Sequence, residues 1–206
     1  MEWRFLPGRR NRRQDNSVSS HAAGFRRRGF RAARMSVYSG IFNTPAGPAV
    51  KKIAVFVDVQ NIYYTTREAY GRQFDYRNFW KRISAQGEIV LATAYAIDRG
   101  DDKQRKFQEA LRQIGFTVKL RPYIQRRDGS AKGDWDVGIT IDVMEAAKDA
   151  DTVVLLSGDG DFDVLMEKIR KDYTVSTEVY GVPALTAGSL INAAGIYHPI
   201  DKDLLL

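Results

Sequence analysis

The sequence predicts a three-layer α/β/α domain on a mostly parallel sheet of about five to six strands. Two runs carry the prediction. Ile53–Val57 (IAVFV) and Thr152–Leu156 (TVVLL) are continuously apolar and rich in β-branched residues. Such runs suit strands buried on both faces rather than strands with one wet side. The third observation is the alternation of further strand-like runs with capped, amphipathic helical segments, which implies crossover connections.

The elements follow in order. After the first strand, Ile62–Tyr70 reads as a helix stopped by Gly71. Of the adjacent Tyr63 and Tyr64, one is expected to pack inside and the other to line a cleft. Asp75 caps a second helix running to about Ala85, with Tyr76, Phe79, Trp80 and Ile83 at helical spacing. Ile89–Ile97 is a strand. Asp101 or Asp102 caps a helix whose Phe107, Leu111 and Ile114 form the apolar stripe, ended by Gly115. Phe116–Leu120 is a strand, followed by a basic loop from Arg121 to about Gly133. Asp134–Lys148 reads as a helix with Val137, Ile141 and Met144 on one face. After the second apolar strand come a helix over Phe162–Lys171, a strand over Thr174–Val179, a short helix near Ser189–Ala194 and a last strand near Ile196–Ile200.

Composition removes whole classes of chemistry. The 206 residues include no cysteine, which excludes disulfides, thiolate nucleophiles and cysteine metal sites. His21 and His198 are the only histidines, so a Ser-His-Asp triad would rest on His198 alone. No apolar run approaches the about 20 residues that span a bilayer, and Met1–Arg13 lacks a secretory apolar stretch. A cytoplasmic protein with no membrane partner is expected.

The net charge of +7 is unevenly placed. Residues 1–50 hold ten Arg, no Lys and two acids, whereas residues 51–206 carry −1. The first segment, with RRNRR (Arg9–Arg13) and FRRRGFRAAR (Phe25–Arg34), reads as a disordered Arg-rich tail and linker. A phosphate-attracting arm, a targeting peptide and an upstream extension before a start at Met35 are the three readings of it. The domain is then 51–206, large enough to bury about 70% of its unfolded surface in one core.

Ligands of open parallel sheets bind beyond the carboxyl ends of strands. Both apolar strands end there in acids: Asp58 with Asn61 after the first, and Ser157-Gly158-Asp159-Gly160-Asp161-Phe162-Asp163 after the second. Asp134 and Asp136 open the helix before the second strand. Any single Asp is commonly a helix cap. Several converging on one rim repel one another unless some stay protonated or a cation sits among them. Oxygen ligands suit Mg²⁺ or Mn²⁺, which activates water and clamps a phosphodiester. Asp142 follows Asp136 by six residues, about 120° around a helix, and reads as a buried hydrogen-bonding acid.

Two metal motifs fail. Asp159, Asp161 and Asp163 imitate a calcium loop, but Val164 stands where it needs Gly and Arg170 where it needs Glu. A haloacid-dehalogenase-like phosphatase has Asp-x-Asp at the first strand, and Gln60 stands at its second Asp. No P-loop or dinucleotide loop occurs.

Three motifs in order closely resemble the NYN-domain family, in its LabA-like branch. They are strand-Asp58-x-x-Asn61-Ile-Tyr, Lys132-Gly133-Asp134-Trp135-Asp136-Val137 with Asp142, and Ser157-Gly158-Asp159-Gly160-Asp161-Phe162. The resemblance spans about residues 51–201 and implies a PIN-like, Rossmann-like fold. It implies a metal-dependent endoribonuclease that hydrolyses RNA phosphodiester bonds with Mg²⁺ or Mn²⁺ and leaves a 5′-phosphate. Asp58, Asp136, Asp159 and Asp161 would hold the metal and catalyse, with Asn61 orienting Asp58 or a water. Ser157 would support the Asp159 loop, with Asp142 and Asp134 behind the ligands. One departure is that Ala193-Ala194 is followed by Gly195 where LabA-like sequences usually carry an acid.

For RNA, single-stranded or structured, the cations Lys132, Arg126, Arg127 and Arg121 with Tyr123 are the candidate contacts, flanking the helix that carries Asp136. Trp135 reads as a packing anchor. A homodimer is compatible with this reading. The alternatives are a non-catalytic RNA-binding or regulatory module of the same fold and, less favoured because of Gln60, a small-ester phosphatase.

Overall fold

The computed structural model describes residues 50–98, 100–122, 124–125, 131–132 and 135–206. The Arg-rich tail, Asp134, Tyr123, Arg126 and Arg127 lie outside the described residues.

Six strands form one sheet in the order β3-β2-β1-β6-β7-β8. They are β1 (Lys52–Asp58), β2 (Glu88–Asp98), β3 (Thr117–Pro122), β6 (Thr152–Leu156), β7 (Ser176–Gly181) and β8 (Ile196–Pro199). Every pairing in it is parallel. The two apolar runs are its centre: β1 pairs with β6, Ile53 opposite Thr152 through Val57 opposite Leu156. Strand order reverses between them, because β2 and β3 add on one side of β1 while β7 and β8 add on the other side of β6. Such a switch point splits the connections and opens a crevice at the strand ends.

Helices cover both faces. On one, β1's Ile53, Val55 and Val57 pack with residues of α1 (Val59–Tyr70), α2 (Tyr76–Ser84) and α3 (Asp102–Ile114). On the other, Ala54 and Phe56 pack with α4 (Asp136–Ala146), α5 (Asp163–Asp172) and α6 (Gly188–Ala193). The period-2 alternation of β1 thus divides its side chains between two cores. Among the described residues no helix is long and apolar enough to cross a membrane.

Four local expectations need correction. Helix α4 starts at Asp136 and buries Ile139, Val143 and Ala147, while Val137 (69%) and Ile141 (59%) are exposed. Its sequence is apolar on nearly every side, so periodicity selects no unique face. In α3, Leu111 is buried as expected, but Phe107 is 36% exposed and Gln108 takes the inward position at 4%. Tyr63 and Tyr64 are both 47% exposed, because Ile62 supplies the buried anchor of that turn. The basic loop contains a two-residue antiparallel pair, β4 (Ile124–Gln125) with β5 (Ala131–Lys132), so it folds back on itself.

Gly195 has a structural reason. Its N–H donates to Thr177 Oγ1 at 2.9 Å, and a Cβ there would stand 2.8 Å from the Thr177 carbonyl oxygen. An acid at this position would push α6 and β8 off β7.

Candidate metal centre

Three chain segments deliver acids to the switch point. Asp58 ends β1 and caps α1, its Oδ1 accepting from the Asn61 N–H at 3.1 Å. Asp136 is the first residue of α4 and lies on the stripe continued by Ile139 and Val143, which turns it inward. Asp159 follows β6 and caps the 3₁₀ turn Gly160–Phe162, accepting from the Asp161 N–H at 3.0 Å. Asp136, Asp159 and Asp161 each place a carboxylate oxygen within 4.8 Å of the others.

Asp58 belongs to the same field. Its carboxyl is pushed up to about 6, first by burial and then by the charges of Asp136 and Asp159. The Asn61 and Gln60 N–H groups pull it back only in part. Four carboxylates so placed repel one another, although α1, α4 and the turn into α5 all present helix N-termini to them. An all-oxygen donor set of this charge fits a hard divalent cation.

The supporting residues lock the two loops together. The Gly158 N–H donates to Asn61 Oδ1 at 2.9 Å, across the seam between β1 and β6. Asn61 therefore fixes Asp58 with its backbone and the Asp159 loop with its side chain. Ser157 is fully buried, and its Oγ accepts from the Asp159 N–H at 3.2 Å. Gly158 leaves no room for a side chain, since a Cβ would meet the Leu185 carbonyl oxygen at 2.6 Å and Thr186 Cα at 3.2 Å. Gly158→Ala should displace this loop, costing about 1–3 kcal/mol of stability. Gly188→Ala, which meets nothing within 4 Å, should melt like the wild type in the same thermal scan.

The remaining candidates are placed around this centre. Asp142 is hydrogen-bonded by Tyr95 Oη and pairs with Lys119 Nζ at 2.5 Å, so its contacts are with β2 and β3. Burial and then the Asp142 carboxylate push the Tyr95 phenol up. Trp135 acts as an anchor: its Nε1–H donates to the Ala96 carbonyl at 3.0 Å, and its ring packs against Tyr95. Arg121 stacks on Trp135, 4.6 Å from the ring centroid, which sets a guanidinium beside the residue that precedes Asp136. Lys132 lies on β5. His198 is occupied elsewhere, paired with Glu178 at 2.9 Å and stacked on Tyr180.

Sequence reading missed the Asn61–Gly158 clamp. A polar residue one turn into α1 and a glycine after β6 give no signal until β1 and β6 are known to be neighbours. It also missed Gln108, which the spacing Gln104, Gln108, Leu111 would have placed on the inner stripe.

The chain is similar to known proteins over most of its length. The chain is 57% identical to a Vibrio parahaemolyticus protein of unknown function whose crystal structure superposes with a TM-score of 0.73, covering 76% of this chain and 97% of that one. It is 30% identical over 154 residues to the low amplitude and bright protein LabA of Synechococcus elongatus, covering 71% of this chain and 82% of LabA. Residues 52–201 match the model of the NYN domain, and the chain belongs to the NYN-domain family.

Proposed function

We propose that the protein is a divalent-metal-dependent endoribonuclease that hydrolyses RNA phosphodiester bonds at Asp58, Asp136, Asp159 and Asp161. The observation that supports it most is the convergence of these acids at the sheet's switch point, with three carboxylate oxygens within 4.8 Å of one another. NYN domains are generally ribonuclease-like, which points the same way.

Asp136, Asp159 and Asp161 would hold Mg²⁺ or Mn²⁺, with Asp58 beside them. When bound, the ion supplies Lewis acidity toward the phosphodiester oxygens and activates water. The chain's own residues supply position. Asn61 holds the β1 and β6 loops at fixed separation, and Ser157 keeps the Asp159 backbone from swinging outward. Asp58, half-buried and with a carboxyl raised to about 6, is suited to accept a proton from the attacking water. Hydrolysis forms one phosphorus–oxygen bond to water and breaks the bond to O3′, which takes up a proton. The products carry a 5′-phosphate and a 3′-hydroxyl. Arg121, Lys132, Arg126 and Arg127 with Tyr123 are the proposed contacts to the strand.

The test is incubation of the full chain with end-labelled single-stranded and hairpin RNAs in Mg²⁺, Mn²⁺ or EDTA. Cutting in a metal, none in EDTA, and products degraded by a 5′-phosphate-requiring exonuclease are expected. RNA binding without cutting in either metal would overturn the nuclease and leave the binding module.

A further inference from the structure

Beside the acids, on the other face of the sheet, lies a cleft of about 460 Å³. It begins at Val59 and Gln60, the residues after Asp58, and its floor includes Ala96 and Ile97. These follow Tyr95, which is the register partner of Asp58. The cleft therefore opens at the same strand ends as the acid cluster. Tyr76 joins the two, for it lines the cleft and its phenol feels the Asp58 charge. The volume is within the about 300–1,000 Å³ usual for small-ligand sites.

Its lining has an unusual chemistry. Tyr63 and Tyr64 stand edge to face at the mouth with half their surface exposed, and Tyr76 and Phe107 form a second edge-to-face pair. Gln108 is buried, at 4% exposure, and lines the cleft. An amide stands here at a position whose spacing from Leu111 suits an aliphatic side chain. Among the described residues, the charges on the lining are one acid, Asp101, and one base, Lys103. A phosphate site would be dominated by cations. This one offers ring faces, which stack on bases, and amides, which give a donor and an acceptor to a base edge.

We propose that this cleft holds a nucleobase of the RNA strand whose phosphodiester lies at the acid cluster, stacked on Tyr63 and Tyr64 and read by the Gln108 and Gln60 amides. The inference rests on the ribonuclease reading. It makes the enzyme base-selective on one side of the scissile bond.

The experiment uses the full chain and fluorescein-labelled oligo(A), oligo(C), oligo(G) and oligo(U), followed by anisotropy in EDTA, with cleavage of the same RNAs in Mn²⁺ as the second arm. The wild type should prefer one base by about tenfold or more over the weakest. Gln108→Leu should shrink that ratio to about threefold or less and melt at or above the wild type, since leucine suits this buried position of α3. A merely structural Gln108 predicts no change in the ratio. Tyr63→Ala, at an exposed position, should weaken the preferred oligomer about tenfold. Glu109→Gln, on the side of α3 where Glu109 faces Arg112, should change neither. Equal binding of all four oligomers, or a preference untouched by both cleft variants, overturns the cleft. Cutting with those results would leave the nuclease standing, whereas base-selective binding without cutting would overturn the nuclease and leave the cleft.

Discussion

Asp159→Asn should lower RNA cleavage on the order of 10³-fold while the protein melts at or above the wild type. Asp159 has two roles that this substitution separates. Its Oδ1 caps the 3₁₀ turn by accepting from the Asp161 N–H, and an asparagine oxygen accepts equally well. Its charge is one of three that converge within 4.8 Å, and asparagine removes it. Loss of one anionic oxygen from a metal centre is worth several kcal/mol of transition-state stabilisation, about 4 kcal/mol for a thousandfold. Asp172→Asn is the matched control, because Asp172 pairs with Lys168 at the far end of α5 and should cut like the wild type. Wild-type rates in Asp159→Asn would sink the assignment of the centre.

The sequence makes this centre legible for a physical reason. Fully apolar runs such as 53–57 and 152–156 are tolerated only where both faces are covered, which makes them central strands and makes the acids at their ends a rim. Asp58, Asp159 and Asp161 are therefore readable without coordinates, and Asp136 through its motif. Residues whose role depends on rotation about a helix axis are harder to read. Val137 and Ile141 follow the helical period as well as Ile139 and Val143 do, and only the packing on Tyr95 and β1 decides between them. Phe107 and Gln108 invert the usual rule, for the aromatic is 36% exposed and the amide residue is buried, though both line the cleft. Pairwise links such as Gly158 to Asn61, 97 residues apart, exist only once the sheet order is fixed.

The acid cluster should also destabilise the protein, and Asp58→Asn should expose this as a gain. In metal-free buffer at pH 7.5 the variant should melt above the wild type. The Asp58 carboxyl is raised from 3.8 to about 6, by burial first and then by Asp136 and Asp159. A carboxyl raised on folding makes the folded state hold its proton more tightly than the unfolded state. The contribution of this carboxyl to stability is thus greatest below about pH 4, falls as the pH rises toward 6, and stays low above it. The full difference corresponds to about 3 kcal/mol, which for a chain of this size shifts the melting temperature by about 6–10 °C. Asparagine carries no charge to desolvate and still caps α1 through the Asn61 N–H. The advantage of Asp58→Asn should shrink as the pH is lowered from 7.5 to 4, where the wild-type carboxyl is protonated too. Millimolar Mn²⁺ should close the gap from the other side, because an ion bound only to the folded form at about 100 times its Kd adds about 2.7 kcal/mol. Melting curves at pH 4, 6 and 7.5, with EDTA or Mn²⁺, test both arms. A wild type that melts above Asp58→Asn in EDTA at pH 7.5 would show that Asp58 is not under the strain its neighbours impose.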